Sequence, residues 1–106
     1  VSQLVDLGEI TPTAYSQTEC FDAGITFARA EGIVPAPEAN HAVKGALLEA
    51  MKCKEEGVSR AILFNLCGHG YFDMQAYTDY NAGRLEDHAY DESEVAMALA
   101  GLPSVA

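Results

Sequence analysis

Apolar residues recur at helical spacing in two long stretches of this 106-residue chain. In the first, Cys20, Phe21, Gly24, Phe27 and Ala28 fall on one face. Ser16 and Glu19 form an S-x-x-E capping box ahead of that stripe, and Gly32 stands where the helix should stop. Gly24 lies on the stripe itself. A glycine there costs about 1 kcal/mol against alanine, so it signals close packing against a neighbour. The second stretch carries Ala39, Ala42, Val43, Ala46, Leu47, Ala50 and Met51 on one stripe. Pro37 is placed for its first turn, Lys52 and Lys54 for its last, and Gly57 for its stop.

The pattern then changes. "RAILFNL", residues 60–66, is an apolar run without polar alternation, which predicts a short strand covered on both faces. It breaks into Cys67-Gly68-His69-Gly70. Asp73 is placed to cap a following helix with Met74, Tyr77 and Tyr80, ending near Gly83. "RLEDHAY" reads as a loop, and Asp91 and Glu94 as the start of a last helix through Leu99, closed by Gly101 and Pro103. Upstream, "SQLVDLGE" reads as a helix end near Gly8. "ITPTAYS" is at best an edge strand, because Pro12 removes a ladder donor. The pattern therefore predicts an α/β class, mostly helices around one or two buried strands. A two-sided strand needs neighbours, which this chain hardly supplies. One partial domain over residues 1–106, with a tail from 84, follows. The start at Val1 fits a piece of a longer chain.

Composition narrows the partners. Sixteen acids against six bases give a net charge of −10. Such a surface repels nucleic acid and anionic membranes, which excludes both as partners. No apolar run nears the roughly 20 residues of a membrane span. Cys20, Cys53 and Cys67 are odd in number and far apart, with no CxxC, which disfavours a disulfide framework or structural zinc and fits a reducing cytoplasm.

Cys67 is the candidate chemistry. As a nucleophile it needs a base. His69 is two residues away, where it seldom faces the side chain at i, and N-L-C-G-H is not the G-x-C-x-G of a nucleophile elbow. A metal site of Cys67, His69 and Asp73 mixes soft and hard ligands and lacks a fourth. His41 reads as a helix-start hydrogen bond rather than a ligand. A ligand contact at a strand's carboxyl end is the third reading, with Gly68 and Gly70 allowing close approach. The residues alone slightly favour the alternative, a plain tight turn over a buried thiol.

"ARAEGIVPAPEANHAVKGALLEA" followed by "ILFNLCGHGYFD" resembles the C-terminal part of the tryptophan synthase beta chain. It is most similar to the divergent second branch of that family, which reads EGI-x-PAPE-x-x-HA and then FNL-[SC]-GHG. "AYSQTECFDAGITFARAEG" looks like that branch too, so the resemblance covers Val1 to about Tyr77. It implies the large domain of a fold-type II pyridoxal 5'-phosphate (PLP) enzyme that joins indole to L-serine or an activated serine. Cys67 matches the family's serine that faces the pyridine nitrogen, and Glu31 the glutamate near the ring. Gly68 and His69 complete the implied cofactor contacts. A thiol is a poorer donor than a hydroxyl, so Cys67 is expected to hold the nitrogen loosely and to have no nucleophilic role. His69 and Tyr71 replace the main branch's arginine and first aspartate, whose contacts do not carry over. The resemblance thus implies small-molecule substrates and a homodimer, with at most a weak alpha-subunit contact. The family's His-Lys pair and Gly-rich phosphate loop do not occur in these residues. A catalytic residue is therefore not expected within them, and the piece alone is expected to be inactive. The alternatives are a non-catalytic binding remnant of the same fold and another fold-type II enzyme such as a serine or threonine dehydratase. The EGI-x-PAPE run disfavours the dehydratase.

Overall fold

The computed structural model describes residues 1–88 and 91–101. Helix α1 spans Ser2–Asp6, α2 Gln17–Glu31, α3 Ala39–Glu56, α4 Met74–Asn81 and α5 Glu92–Ala100, with a 3-10 turn at Gly70–Phe72 before α4. The expected loop end at Ala89 and Tyr90 and the stop at Pro103 lie outside the described residues.

Helix α2 begins where its local chemistry dictates. Ser16 Oγ accepts from the Glu19 N–H, and the Glu19 carboxylate accepts in return from the Ser16 N–H at 3.2 Å. A second cap arrives from far along the chain, where Asp87 Oδ1 accepts from the Thr18 N–H at 3.0 Å. Two of the four orphan donors of the helix start are thereby satisfied by carboxylates, which the helix dipole favours. Gly32 ends the helix at φ 72° and Gly57 ends α3 at φ 67°, both left-handed. Lys44, on α3, lies 3.4 Å from the Glu19 carboxylate, its side chain only 20% exposed.

These caps make the start of α2 sensitive to acid. The Ser16 backbone N–H, then its hydroxyl and Lys44, hold the Glu19 carboxyl below its ordinary value; the Thr18 hydroxyl and N–H do the same for Asp87. A lowered folded-state value contributes stability that is complete above the ordinary carboxylate range, about pH 4, and lost as pH falls through the lowered values. Helical circular dichroism should therefore fall as pH drops below about 4. Asp87→Asn should weaken the cap at neutral pH and flatten that acid slope. An unchanged slope would contradict the role of Asp87.

Helices α2 and α3 pack on each other, and α4 closes one end of the pair. The core holds Cys20, Phe21, Ala23 and Gly24 from α2, Ala39, Asn40 and Val43 from α3, the Pro35–Ala36 connector, and Tyr77 from α4. Burial, then the Glu19 carboxylate, pushes the Cys20 thiol up, so it is an inert core residue. Phe21 meets Tyr77 edge-on at 5.0 Å and stacks with Tyr80 at 5.6 Å. The expected α3 stripe is buried only in its first half. Leu47 and Met51 are exposed, and Cys53 is buried instead.

The strand expected at residues 60–66 is corrected. The described residues contain no strand ladder, and the run carries no regular hydrogen-bonded structure. Burial alternates along it with the period of an extended chain. Phe64 and Leu66 are half-buried, whereas Asn65 is exposed and Leu63 is 99% exposed. The face carrying Phe64 leans on α2, where Phe27 meets its ring edge-on at 5.9 Å. The other face has no neighbour among the described residues, so the two-sided burial is absent. "ITPTAYS" likewise forms no strand. What remains is a mostly helical unit. An open apolar groove of about 220 Å³ is left between α3 and the 62–64 run, lined by Phe27, Ala46, Leu47, Ala50, Ile62 and Phe64.

Candidate functional site

The Cys-Gly-His-Gly loop is fastened to the connector between α2 and α3. Pro35 and His69 form an antiparallel bridge. The Gly70 N–H donates to Val34 O at 2.8 Å, and the Ala36 N–H donates to Gly68 O at 3.2 Å. This seam joins the two most distinctive segments of the sequence, Val-Pro-Ala-Pro and Gly-His-Gly. Gly68 takes φ +86°, a left-handed conformation that favours glycine. Gly70 is required for space. A Cβ there would stand 2.5 Å from Pro35 O and 2.8 Å from Val34 Cγ1. It therefore serves the packing of the seam rather than the approach of a ligand.

Behind the seam lies a buried polar cluster. Tyr77 Oη donates to Pro35 O at 2.6 Å, and Asn40 Nδ2 donates to Tyr77 Oη at 2.9 Å. A phenol has one hydrogen, and the carbonyl is the nearer acceptor, so the 3.3 Å approach of Oη to Asn40 Oδ1 is not a second donation. Burial pushes the Tyr77 phenol up, the Asn40 hydrogen bond partly offsetting it, so the hydroxyl stays a neutral donor. Asn40 is fully buried. Neither residue was singled out from the sequence as polar machinery. Tyr77 read as an apolar-stripe residue, and the one signal for Asn40 was a short amide beside the α3 stripe.

The sequence-designated residues fall around this seam unevenly. Cys67 is exposed, which removes the reading of a buried core thiol. Among the described residues no hydrogen bond joins it to His69. The His69 Nδ1 instead accepts from the Tyr71 N–H at 3.3 Å, capping the 3-10 turn, and its ring rests 4.8 Å from Tyr71 and 5.3 Å from Phe72. Gly68 and His69 belong to the seam. Glu31, exposed at the end of α2, does not. The antiparallel register sets Cys67 opposite Pro37, whereas Glu31 lies at the C-terminal end of α2. His41 makes the expected helix-start bond, its Nδ1 donating to Glu38 O at 3.3 Å. No group of three His, Cys, Asp or Glu side chains among the described residues is gathered to hold a metal ion.

The donor set suits one contact of a heteroaromatic cofactor. An exposed thiol at the end of an extended run, followed by a left-handed glycine, can meet a ring nitrogen as a weak S–H donor. It does not anchor such a group. All three lysines sit on α3, and Lys44 is engaged by Glu19.

Comparison with known proteins places this geometry. No family model matches the chain, and no solved structure matches it. Curated sequences do, and they are enzymes of amino-acid biosynthesis. More narrowly, the chain is homologous to a segment of the tryptophan synthase beta-chain family. It is 60% identical over 87 residues to tryptophan synthase beta chain 2 of Aquifex aeolicus, covering 82% of this chain and 20% of the relative. It is 52% identical over 91 residues to the tryptophan synthase beta chain of Thermococcus gammatolerans, covering 86% and 21%. With that of Pyrococcus horikoshii it shares 47% over 98 residues, covering 92% and 21%. The chain thus spans about a fifth of the length of the curated relatives it matches.

Proposed function

We propose that these residues are the C-terminal part of a PLP-dependent β-replacement lyase that makes L-tryptophan from indole and L-serine or an activated serine. The observation that carries the reading is the identity to tryptophan synthase beta chains over four-fifths of the chain or more. When bound, the cofactor supplies an electron sink for β-elimination and β-replacement. Within the segment, Cys67 would offer the ring nitrogen a weak thiol donor and would bring no carboxylate to hold that nitrogen protonated. Gly68 keeps side-chain bulk away from that contact. His69 holds the turn that follows, and Glu31, which stands outside the seam, would lie near the ring. The lysine that anchors the cofactor and the phosphate cradle come from the rest of the longer chain, which works as a homodimer with at most a weak alpha-subunit contact.

The test is tryptophan formation by the complete chain, supplied with PLP, indole, and either L-serine or its phosphorylated or acetylated form. Tryptophan is expected with at least one donor. Deamination of serine without tryptophan would favour a dehydratase, and no turnover of any donor would favour a binding remnant.

A further inference from the structure

The loop that carries Cys67 has no regular secondary structure to hold it. Its position depends on two backbone hydrogen bonds to the Val34–Ala36 connector, and that connector is itself irregular. A proline carbonyl in mid-connector is a poor anchor unless something fixes it. Tyr77 Oη does so at 2.6 Å, from a side chain 5% exposed, and the fully buried Asn40 amide fixes Tyr77 in turn. Tyr77 Cε2 also lies 3.0 Å from where a Gly70 Cβ would stand, so the same ring backs the loop directly. One side chain thus touches both strips of the seam, and its hydroxyl ties them to α3.

We infer that Tyr77, held by Asn40, is a positioning residue that sets the pose of the Cys67–Gly70 loop through the Pro35 carbonyl. Its relevance to catalysis rests on the proposed contact between Cys67 and the cofactor; its effect on the loop does not. Tyr77→Phe keeps the ring against Phe21 and Gly70 and removes only the hydroxyl. Pro35 O and Asn40 Nδ2 then both lose a buried partner. The connector loosens at Pro35, and the seam loosens with it, while the α2–α3 contact keeps its apolar packing.

Two readouts in the complete chain test this. The first is amide hydrogen exchange, which needs no cofactor. In Tyr77→Phe, the Gly70 and Ala36 amides should exchange about fivefold to tenfold faster, as expected for one lost buried hydrogen bond, with α2 and α3 amides unchanged. Unchanged Gly70 and Ala36 amides would overturn the inference, and so would a uniform acceleration across all helices, the mark of a merely structural role. If the variant does not fold, exchange in the unsubstituted chain decides. Gly70 and Ala36 should then share one opening rate, and widely different rates would overturn the coupling. The second readout is the PLP-loaded chain, where Tyr77→Phe should shift the cofactor's visible absorption and lower kcat, with KM for the amino donor little changed. Local loosening without any tryptophan-forming activity in the parent chain would keep the positioning role and reject the proposed function. Loosening with an unmoved spectrum and kcat would reject the link to Cys67.

Discussion

Gly24→Ala is expected to destabilise the chain, although alanine is the better helix former. The gain from propensity is about 1 kcal/mol. Against it stands the Asn40 side chain. A Cβ on Gly24 would overlap Asn40 Oδ1 and come within 2.5 Å of Cγ and 2.6 Å of Nδ2. Asn40 is fully buried and bonded to Tyr77, so it cannot swing aside without breaking that bond. Overpacking costs about 1–3 kcal/mol, and a buried polar group left without its partner costs a similar amount. The net expectation is a loss of roughly 2–4 kcal/mol, read as a lower urea midpoint at unchanged slope. A raised midpoint would mean that α2 and α3 do not meet at Gly24.

Gly70→Ala is expected to act on the seam with comparable force. Gly70 is not among the glycines at positive φ, so the backbone tolerates alanine. The cost is contact alone. Two of the atoms in the way are Pro35 O at 2.5 Å and Tyr77 Cε2 at 3.0 Å, one backbone and one a buried ring, and neither yields cheaply. A loss of about 2–3 kcal/mol is expected, with the Gly70 to Val34 hydrogen bond broken first. In the complete enzyme the same substitution should also depress turnover, because the loop bearing Cys67 is displaced. Wild-type stability and turnover together would contradict the seam.

How much of this was legible in the sequence depended on the distance between partners. The Ser16–Glu19 box and the Gly32 and Gly57 stops are satisfied within one helical turn, and the local pattern shows them. Gly24 was legible as a packing glycine because an unfavourable residue on an apolar stripe needs a reason. Its partner was not. Asn40 and Tyr77 are 37 residues apart, and Asp87 reaches the start of α2 across 69 residues. No local periodicity encodes such pairings. The α3 stripe and the 60–66 run failed for another reason. Periodicity says which face is apolar, not what covers it. Leu47, Met51 and Leu63 are apolar and exposed because the described residues do not cover them fully. The proposed site shows the same division. The motif identified Cys67, Gly68, His69 and Glu31, but only the fold shows that Gly68 and His69 are pinned to the connector while Glu31 stands apart.

The role of Cys67 is the centre of the proposed function, and Cys67→Ser in the complete, PLP-loaded chain tests it most directly. A hydroxyl is a better donor than a thiol and carries no charge at neutral pH. Tryptophan formation from indole and the amino donor should therefore stay near the parent rate, with the cofactor still bound. Abolished turnover with the cofactor bound and the fold intact would contradict a neutral contact to the ring and make Cys67 a nucleophile.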